Sequence, residues 1–417
     1  MAQTATSFAS VMKDTWTSDT LIKQFEDKNH PLSRFESFKA AMIGTQAQVP
    51  IHHGRSYAYT SLGAGGGDLN PDQAQQVSQA TYTMPQHWHQ IGLEASAIAQ
   101  AGSNAVAVAK AKDVEIEGAV ENMRHQIVRQ LVTNGDGIVA HLDSSGGSNV
   151  VAKLVPAASE GSAYGYSALV RKWLGVGATV DAGTTADTDA LGTGLTISAV
   201  SESATAPTVT LSSAINATLG THYLFVPNPN SATAANPEMN GLRQIVNTTG
   251  ALGGLNPATA GQEFWSAAAR DTTTSVLSLD LLLGFQRAVR QNGGQHTAIW
   301  TGLKQRQNLY SLIQNQVRFS GDGDLSAGGD QKVKWNDSEL DAFADILDTD
   351  LYFLSLADLI RIGAPGFEKP KWASDIEGSN TGSLWKQGST KFVDGIVWFT
   401  NFGAHRRNTH AAATALQ

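Results

Sequence analysis

Cysteine is absent from the 417 residues. That one absence removes disulfides, thiolate zinc sites, iron–sulfur clusters and cysteine nucleophiles together. Charge is also scarce, at 16% of residues, with 29 Lys and Arg set against 37 Asp and Glu for a net charge of −8. Such a chain is poorly suited to gripping nucleic acid along a basic surface, which needs clustered Lys and Arg. There is no lysine from residue 40 to 109, where Arg55 is the only strong base, and neither Lys nor Arg from 173 to 242. No apolar run approaches the ~18 residues of a membrane span. Residues 1–6 show neither a basic region nor a following apolar stretch, so no signal peptide is expected, and the simplest expectation is a protein made and used in the cytosol, or released from it without a secretion signal. Catalytic signatures are missing as well. The glycine run at 63–67 lacks the Gly-Lys-Ser/Thr ending of a phosphate loop, and no Gly-x-Ser-x-Gly or His-Glu-x-x-His occurs. An enzyme is not expected, nor is a cofactor.

What is present is enough apolar residue, 41%, for a sizeable core. Residues 1–45 read as a polar arm with short greasy elements: Leu21, Ile22 and Phe25 on one helical face, with Ser18 as N-cap, then Phe35, Phe38 and Met42. Residues 49–59 alternate as a strand, with Ile51, His53, Arg55, Tyr57 and Tyr59 on one face. Residues 81–93 also read as one extended segment carrying Tyr82, Met84, Trp88 and Ile91, and the glycines at 63–67 make the tip between the two. The most regular helical pattern covers 103–133, where Ile116, Val120, Met123, Ile127 and Leu131 repeat at spacings of four and three, and Asn134-Gly135 stops it. Residues 175–226 are rich in Ala, Thr, Gly and Ser, with strands at 195–200, 208–211 and 223–226. Helices are expected at 263–270, 278–291 and 304–317, and strands at 296–301, 350–356 and 392–402. Residues 321–331 form a Gly/Asp-rich loop.

Several clusters invite a chemical reading. His52, His53, His87 and His89 would meet if the two strands paired around the tip, but only Asp68 and Asp72 lie near them in sequence, so polar strand positions or a subunit contact are expected rather than a metal site. Asp181, Asp187 and Asp189, like Asp322, Asp324 and Asp330, miss the spacing of a calcium loop and read as solvated acids. Phe264 and Trp265 read as core. His405-Arg406-Arg407 is too small a basic cluster for strong nucleic-acid binding and reads as a solvated or subunit-contacting tail.

The order of elements, arm, long two-stranded loop, one long helix, mixed domain with a β insertion, then helix, strand, helix and strands, resembles the tailed-bacteriophage major capsid proteins of the Hong-Kong-ninety-seven-like fold. Local wording is similar to members with an axial-domain insertion: Leu195-Thr196-Ile197-Ser198 with Thr208-Val209-Thr210-Leu211, then Asn240 to Val246, Phe264-Trp265 and Gln291-Asn292-Gly293-Gly294. The resemblance implies an α+β chain with an N-terminal arm at 1–45, an extended β-hairpin loop at 46–95 and a peripheral domain with a spine helix at 96–140. It places an axial domain at 141–174 and 228–330, an inserted β-rich domain at 175–227, and a C-terminal return through both domains at 331–417. It implies a virion protein, assembled in the host bacterial cytoplasm as pentamers and hexamers into an icosahedral shell around double-stranded DNA. That shell would enclose the DNA without specific binding, with no membrane partner, and with a separate scaffolding protein, a portal and a cement or decoration protein as partners. Lysine-based covalent linkage is not implied, because the loop has no lysine. Subunit-interface candidates are Ile51, Tyr57, Tyr59, Tyr82, Met84 and Trp88, with no catalytic, cofactor or metal residues. An encapsulin-type nanocompartment shares the fold, and a surface adhesin or fibre protein would account for the Thr/Ala/Gly-rich strands.

Overall fold

The computed structural model describes residues 31–35, 37–38, 41–54, 59–62, 64, 66, 68–69, 71, 74–94, 105–143, 149–154, 170, 173–184, 191–201, 207–216, 222–227, 238–273, 275–314, 334–335, 338–367, 369–373, 384–385 and 391–417. The expected arm helix, Tyr57, Gly63, Gly65, Gly67, Asp187, Asp189 and the loop at 321–331 lie outside these residues.

The chain is mixed α and β. Helix α1 (Ala105–Val132) has 28 residues, about 42 Å at 1.5 Å per residue. Its stripe of Ile116, Val120, Met123, Ile127 and Leu131 is fully buried, as the spacing predicts. Gly135, at φ 70°, ends the run in the left-handed region that glycine enters without cost. The helix packs on strand Gln86–Glu94. That strand lies antiparallel along Lys391–Ala404, from Lys391 opposite Glu94 to Phe399 opposite Gln86. The 14-residue Lys391–Ala404 organises a six-stranded sheet with Leu359–Gly363, Ser37–Phe38, Lys371–Trp372 and Leu384–Trp385.

Residues 81–93 are therefore not one strand. The chain breaks at Met84-Pro85, and the two halves enter different sheets: Gln76–Thr83 pairs with Gln46–Gly54, and Gln86–Glu94 leaves for Lys391–Ala404. Proline offers no N–H to carry a ladder through, so the change of sheet falls there.

A second six-stranded sheet runs Ile138–His141, His222–Phe225, Thr179–Thr184, Gly192–Ser201, Thr208–Ile215, Asn149–Lys153. Its two edges meet at a bridge between Leu142 and Leu154, which curls it toward a small barrel filled by Ala140, Ala152, Val180, Leu195, Ile197, Val209, Leu211 and Leu224. The β-rich unit thus takes in strands that precede residue 175. Inserted strands alone would leave two open edges, and Ile138–His141 and Asn149–Lys153 cover them.

The third sheet is ordered Ala269–Asp271, Ala411–Ala413, Leu351–Leu354, Ala298–Thr301, Ser338–Ala342, Lys334–Trp335. It is preceded in the chain by a short helix, α2 (Leu242–Ile245), and covered by α3 (Leu279–Gln291). Ser278 caps α3 by accepting from the Leu281 N–H at 3.2 Å, and Leu282, Phe285 and Val289 meet Ile299, Phe353, Ala411 and Ala413. Helix α4 (Leu303–Gln314) follows the central strand. The expected helix at 263–270 is instead a 3-10 turn, Glu263–Trp265, and then a strand. Trp265 turns inward and donates its Nε1–H to the Leu252 carbonyl at 2.9 Å.

The C-terminal segment also departs from the sequence reading. Ala411–Ala413 lies between two other strands, parallel to Ala269–Asp271 and antiparallel to Leu351–Leu354. Below it, Arg243 forms a buried two-pronged pair with Asp350, with Nε to Oδ2 at 2.8 Å, and Tyr352 donates to the same carboxylate at 2.6 Å. Arg243 also donates to the Thr414 carbonyl at 3.1 Å, so α2, the central strands and the C-terminus share one charged knot.

Candidate subunit-contact surface

The fourth sheet is the hairpin. Gln46–Gly54 is its middle strand, with Ala41–Ile43 on one side and Gln76–Thr83 on the other. Alternation puts Ala47, Val49, Ile51, Ala80 and Tyr82 on one face, and all are buried against the body of the same chain. Tyr82 fixes the base. Its hydroxyl donates to the Ala404 carbonyl and accepts from the Ala404 N–H, both at 3.3 Å, and burial pushes its pKa up to about 12. The ring is clasped between two glycines: a Cβ on Gly403 would come within 2.7 Å of it and one on Gly253 within 3.2 Å.

Of the interface candidates, Ile51, Tyr82 and Met84 therefore belong to the chain's own core, and Tyr57 lies outside the described residues. The expectation that Tyr82 is buried by a neighbour does not survive: the hairpin has a third strand, Ala41–Ile43, and is anchored by the chain's own Gly253 and Gly403. Tyr59 and Trp88 are open, at 83% and 55% exposure. Leu62, Leu69 and Val77 join them, so the apolar residues beyond the hairpin base and on the next strand face outward. Four exposed side chains, Val276, Leu283, Leu303 and Tyr310, form a further apolar set on and beside α3 and α4.

The four histidines do not gather. His52 contacts Gln75, and His53 contacts Ser78 at 2.9 Å and stacks on Phe264 with centroids 3.8 Å apart, while His87 and His89 sit in the other sheet. Among the described residues no group of three His, Asp or Glu is placed to hold a metal. No helix among them is long and apolar enough to cross a membrane. Asp181 accepts from the Gly194 N–H at 2.6 Å within the barrel.

The basic cluster is not a solvated tail. Arg407 is fully buried and donates to the carbonyls of Ile245 at 2.8 Å, Gly250 at 2.9 Å, Gln244 at 2.9 Å and Asn247 at 2.8 Å. It closes the end of α2 and the turn after it, where carbonyls lack helical partners. Sequence reading also missed the strap at 238–241. Glu238 pairs with Arg129 of α1 and accepts from the Gly137 N–H at 3.0 Å, and Gln130 accepts from the Met239 N–H at 3.1 Å. Asn240 meets Asn401 and Phe402, each at 2.9 Å. These pairs are over a hundred residues apart, and no local pattern marks them.

Two buried histidines give the fold an acid limit. Burial pushes His87 and His410 down to about 4, whereas an unfolded imidazole titrates near 6.5. Between those values the unfolded chain binds protons that the folded chain refuses, so stability is complete above pH ~6.5 and falls as pH drops toward 4. At about 1.36 kcal/mol per pKa unit, each ring accounts for on the order of 3 kcal/mol. The urea midpoint should stay level from pH 8 to 7 and decline between 6.5 and 4, and His410→Gln should flatten that decline. A level midpoint down to pH 4 would show that water reaches both rings.

No protein-family model and no curated protein matches the chain. Among solved structures it is similar to a chain of the cyanophage A-1(L) capsid asymmetric unit, at 10% identity and a TM-score of 0.48 over 92% of this chain and 90% of that one. It is similar to a chain of the satellite phage P4 procapsid that includes the size determination protein, at 9% identity and a TM-score of 0.40 over 100% and 98%. It is also similar to a chain of the virus-like particle from Pyrococcus furiosus, at 7% identity and a TM-score of 0.36 over 94% and 95%. Chains of phage capsid particles are among the solved structures this chain is similar to, along nearly its whole length.

Proposed function

We propose that the chain is the shell subunit of a tailed bacteriophage head, assembling as pentamers and hexamers around double-stranded DNA. One observation carries the reading: the hairpin is anchored at its base by Tyr82 but holds Tyr59, Leu62, Leu69 and Val77 outward, with Trp88 exposed on the adjoining strand. An apolar set of this kind on a lone subunit is a contact waiting for a partner. In a shell the same contact repeats in every copy, so a modest energy per contact suffices. The excess of acid over base fits a wall that encloses DNA without clinging to it. A scaffolding protein, a portal and a decoration protein are the partners this role requires, and the assembled virion is its place. Electron microscopy of the purified chain, alone and with a scaffold, tests the reading. Closed shells support it, filaments point to a fibre protein, and shells carrying protein cargo in place of DNA point to a nanocompartment.

Trp88→Ala separates assembly from folding. More than half of Trp88 is exposed, so its loss should move the melting temperature of the unassembled subunit by no more than about 2 °C. Burial at a contact is worth roughly 1.5–3 kcal/mol per large side chain, so the protein concentration needed for assembly should rise about tenfold or more. Light scattering across a dilution series reads that threshold. An unchanged threshold would remove Trp88 from the contact.

A further inference from the structure

Where the hairpin leaves the body, a cavity of about 390 Å³ opens between its middle strand, the 3-10 turn at Glu263–Trp265 and the segment 405–408. Its wall includes His52, His53, His405, Arg406 and Arg407, with Phe264 stacked beneath His53, and among the described residues no aspartate or glutamate lines it. That is unusual in a chain where 37 acids outnumber 29 bases. At its floor the Arg407 guanidinium is buried, hydrogen-bonded to four carbonyl oxygens and set over the Trp265 ring, 5.8 Å from its centroid. No carboxylate hydrogen-bonds it among the described residues, and a buried charge without a counter-ion keeps a positive field around it, here at the wall of this cavity. At the rim Arg406 is exposed, and its guanidinium donates to the Asn292 carbonyl at 3.3 Å. Asp358, the carboxylate that acts on His405, is engaged by the Thr409 hydroxyl at 2.8 Å and is not part of the wall.

We propose that this cavity receives a carboxylate side chain from a second copy of the chain, with Arg406 as its first contact. Charge complementarity names the occupant: a net-acidic neighbour offers carboxylates in excess, and the cavity opens beside the hairpin that reaches outward. The identity of the partner rests on the shell reading; the chemistry of the cavity does not.

Two experiments on the full chain test this. Arg406→Glu places like charges at the rim and should lower assembly yield at least about tenfold at equal concentration, with the melt of the unassembled chain unchanged. Arg406→Lys keeps the charge and supplies an amine for zero-length carbodiimide coupling. In a mixture of isotopically light and heavy chains, mass spectrometry should find Lys at 406 joined to an Asp or Glu of the other isotope. Such cross-links in small oligomers, without closed shells, would uphold the cavity and sink the shell reading. Closed shells with coupling only inside one chain would do the reverse. If Arg406→Glu assembles normally but loses co-purifying nucleic acid, the occupant is a phosphate and the proposal is overturned.

Discussion

Arg407→Ala should not give a soluble, folded subunit. The substitution strands four carbonyl oxygens that now accept from one guanidinium, those of Gln244, Ile245, Asn247 and Gly250. Each acceptor left without a partner in the interior costs about 1–3 kcal/mol, and with the Ile245 carbonyl buried and the other three partly so the sum is comparable with the lower end of the 5–15 kcal/mol stability of an ordinary domain. Trp265, whose ring lies 5.8 Å below the guanidinium, loses its cover in the same step. Arg407→Lys is the informative companion. An ammonium keeps the charge but has three donors and no planar fork, so it can reach some of the carbonyls and not all. It should fold with a loss of roughly 2 kcal/mol, read as a lowered urea midpoint. An Arg407→Ala protein melting within about 2 °C of the parent would show that water satisfies those carbonyls and that Arg407 is not the closure of α2.

Gly241→Ala should be nearly as damaging, through sterics alone. Gly241 has φ −95°, open to any residue, yet a Cβ there would stand 1.7 Å from the Thr133 carbonyl oxygen and 2.6 Å from that of Gln130. Those are backbone atoms at the end of α1 and cannot swing aside, so the strap must lift off the helix. With it go the Gln130–Met239 bond and the Arg129–Glu238 pair. A loss on the order of 4 kcal/mol or more is expected, in the range reserved for a few specific mechanisms. Gly175→Ala is the control, because a Cβ there meets nothing within 4 Å. Equal melting temperatures for the two variants would mean that α1 and the strap separate at little cost.

The parts of the fold that the sequence made legible are those with a strong local period. Ile116 to Leu131 repeats over four turns and lands on the buried side of α1, and Ser278 caps α3 where the apolar pattern starts. The C-terminal strand was not legible, because alanine carries little β preference and the run at 411–415 offers no alternation to read. Arg407 was misread for a related reason. An arginine beside another arginine near a chain end looks solvated until α2 and its following turn, some 160 positions earlier, are folded against it. The hairpin was legible as strands and not as contacts. Alternation told which side chains share a face, but whether Tyr82 meets Gly403 or another subunit depends on residues over 300 positions away. In the candidate surface Tyr59 and Trp88 stay open, and Ile51, Tyr82 and Met84 are turned inward by that anchoring.

Synthesis runs from the N-terminus, and of the six strands of the third sheet Ala411–Ala413 comes latest in the chain. Ala411–Ala413 fills the slot between Ala269–Asp271 and Leu351–Leu354, two strands that have no direct pairing and are joined only through it. At about 5–20 residues per second, the ribosome delivers the strand well over 100 residues after the first wall of that slot. Until then the edges of Ala269–Asp271 and Leu351–Leu354 stay unpaired, and Arg243 lacks its carbonyl contact at Thr414. A chain whose synthesis has not yet reached residue 413 therefore cannot present a finished third sheet to a neighbour.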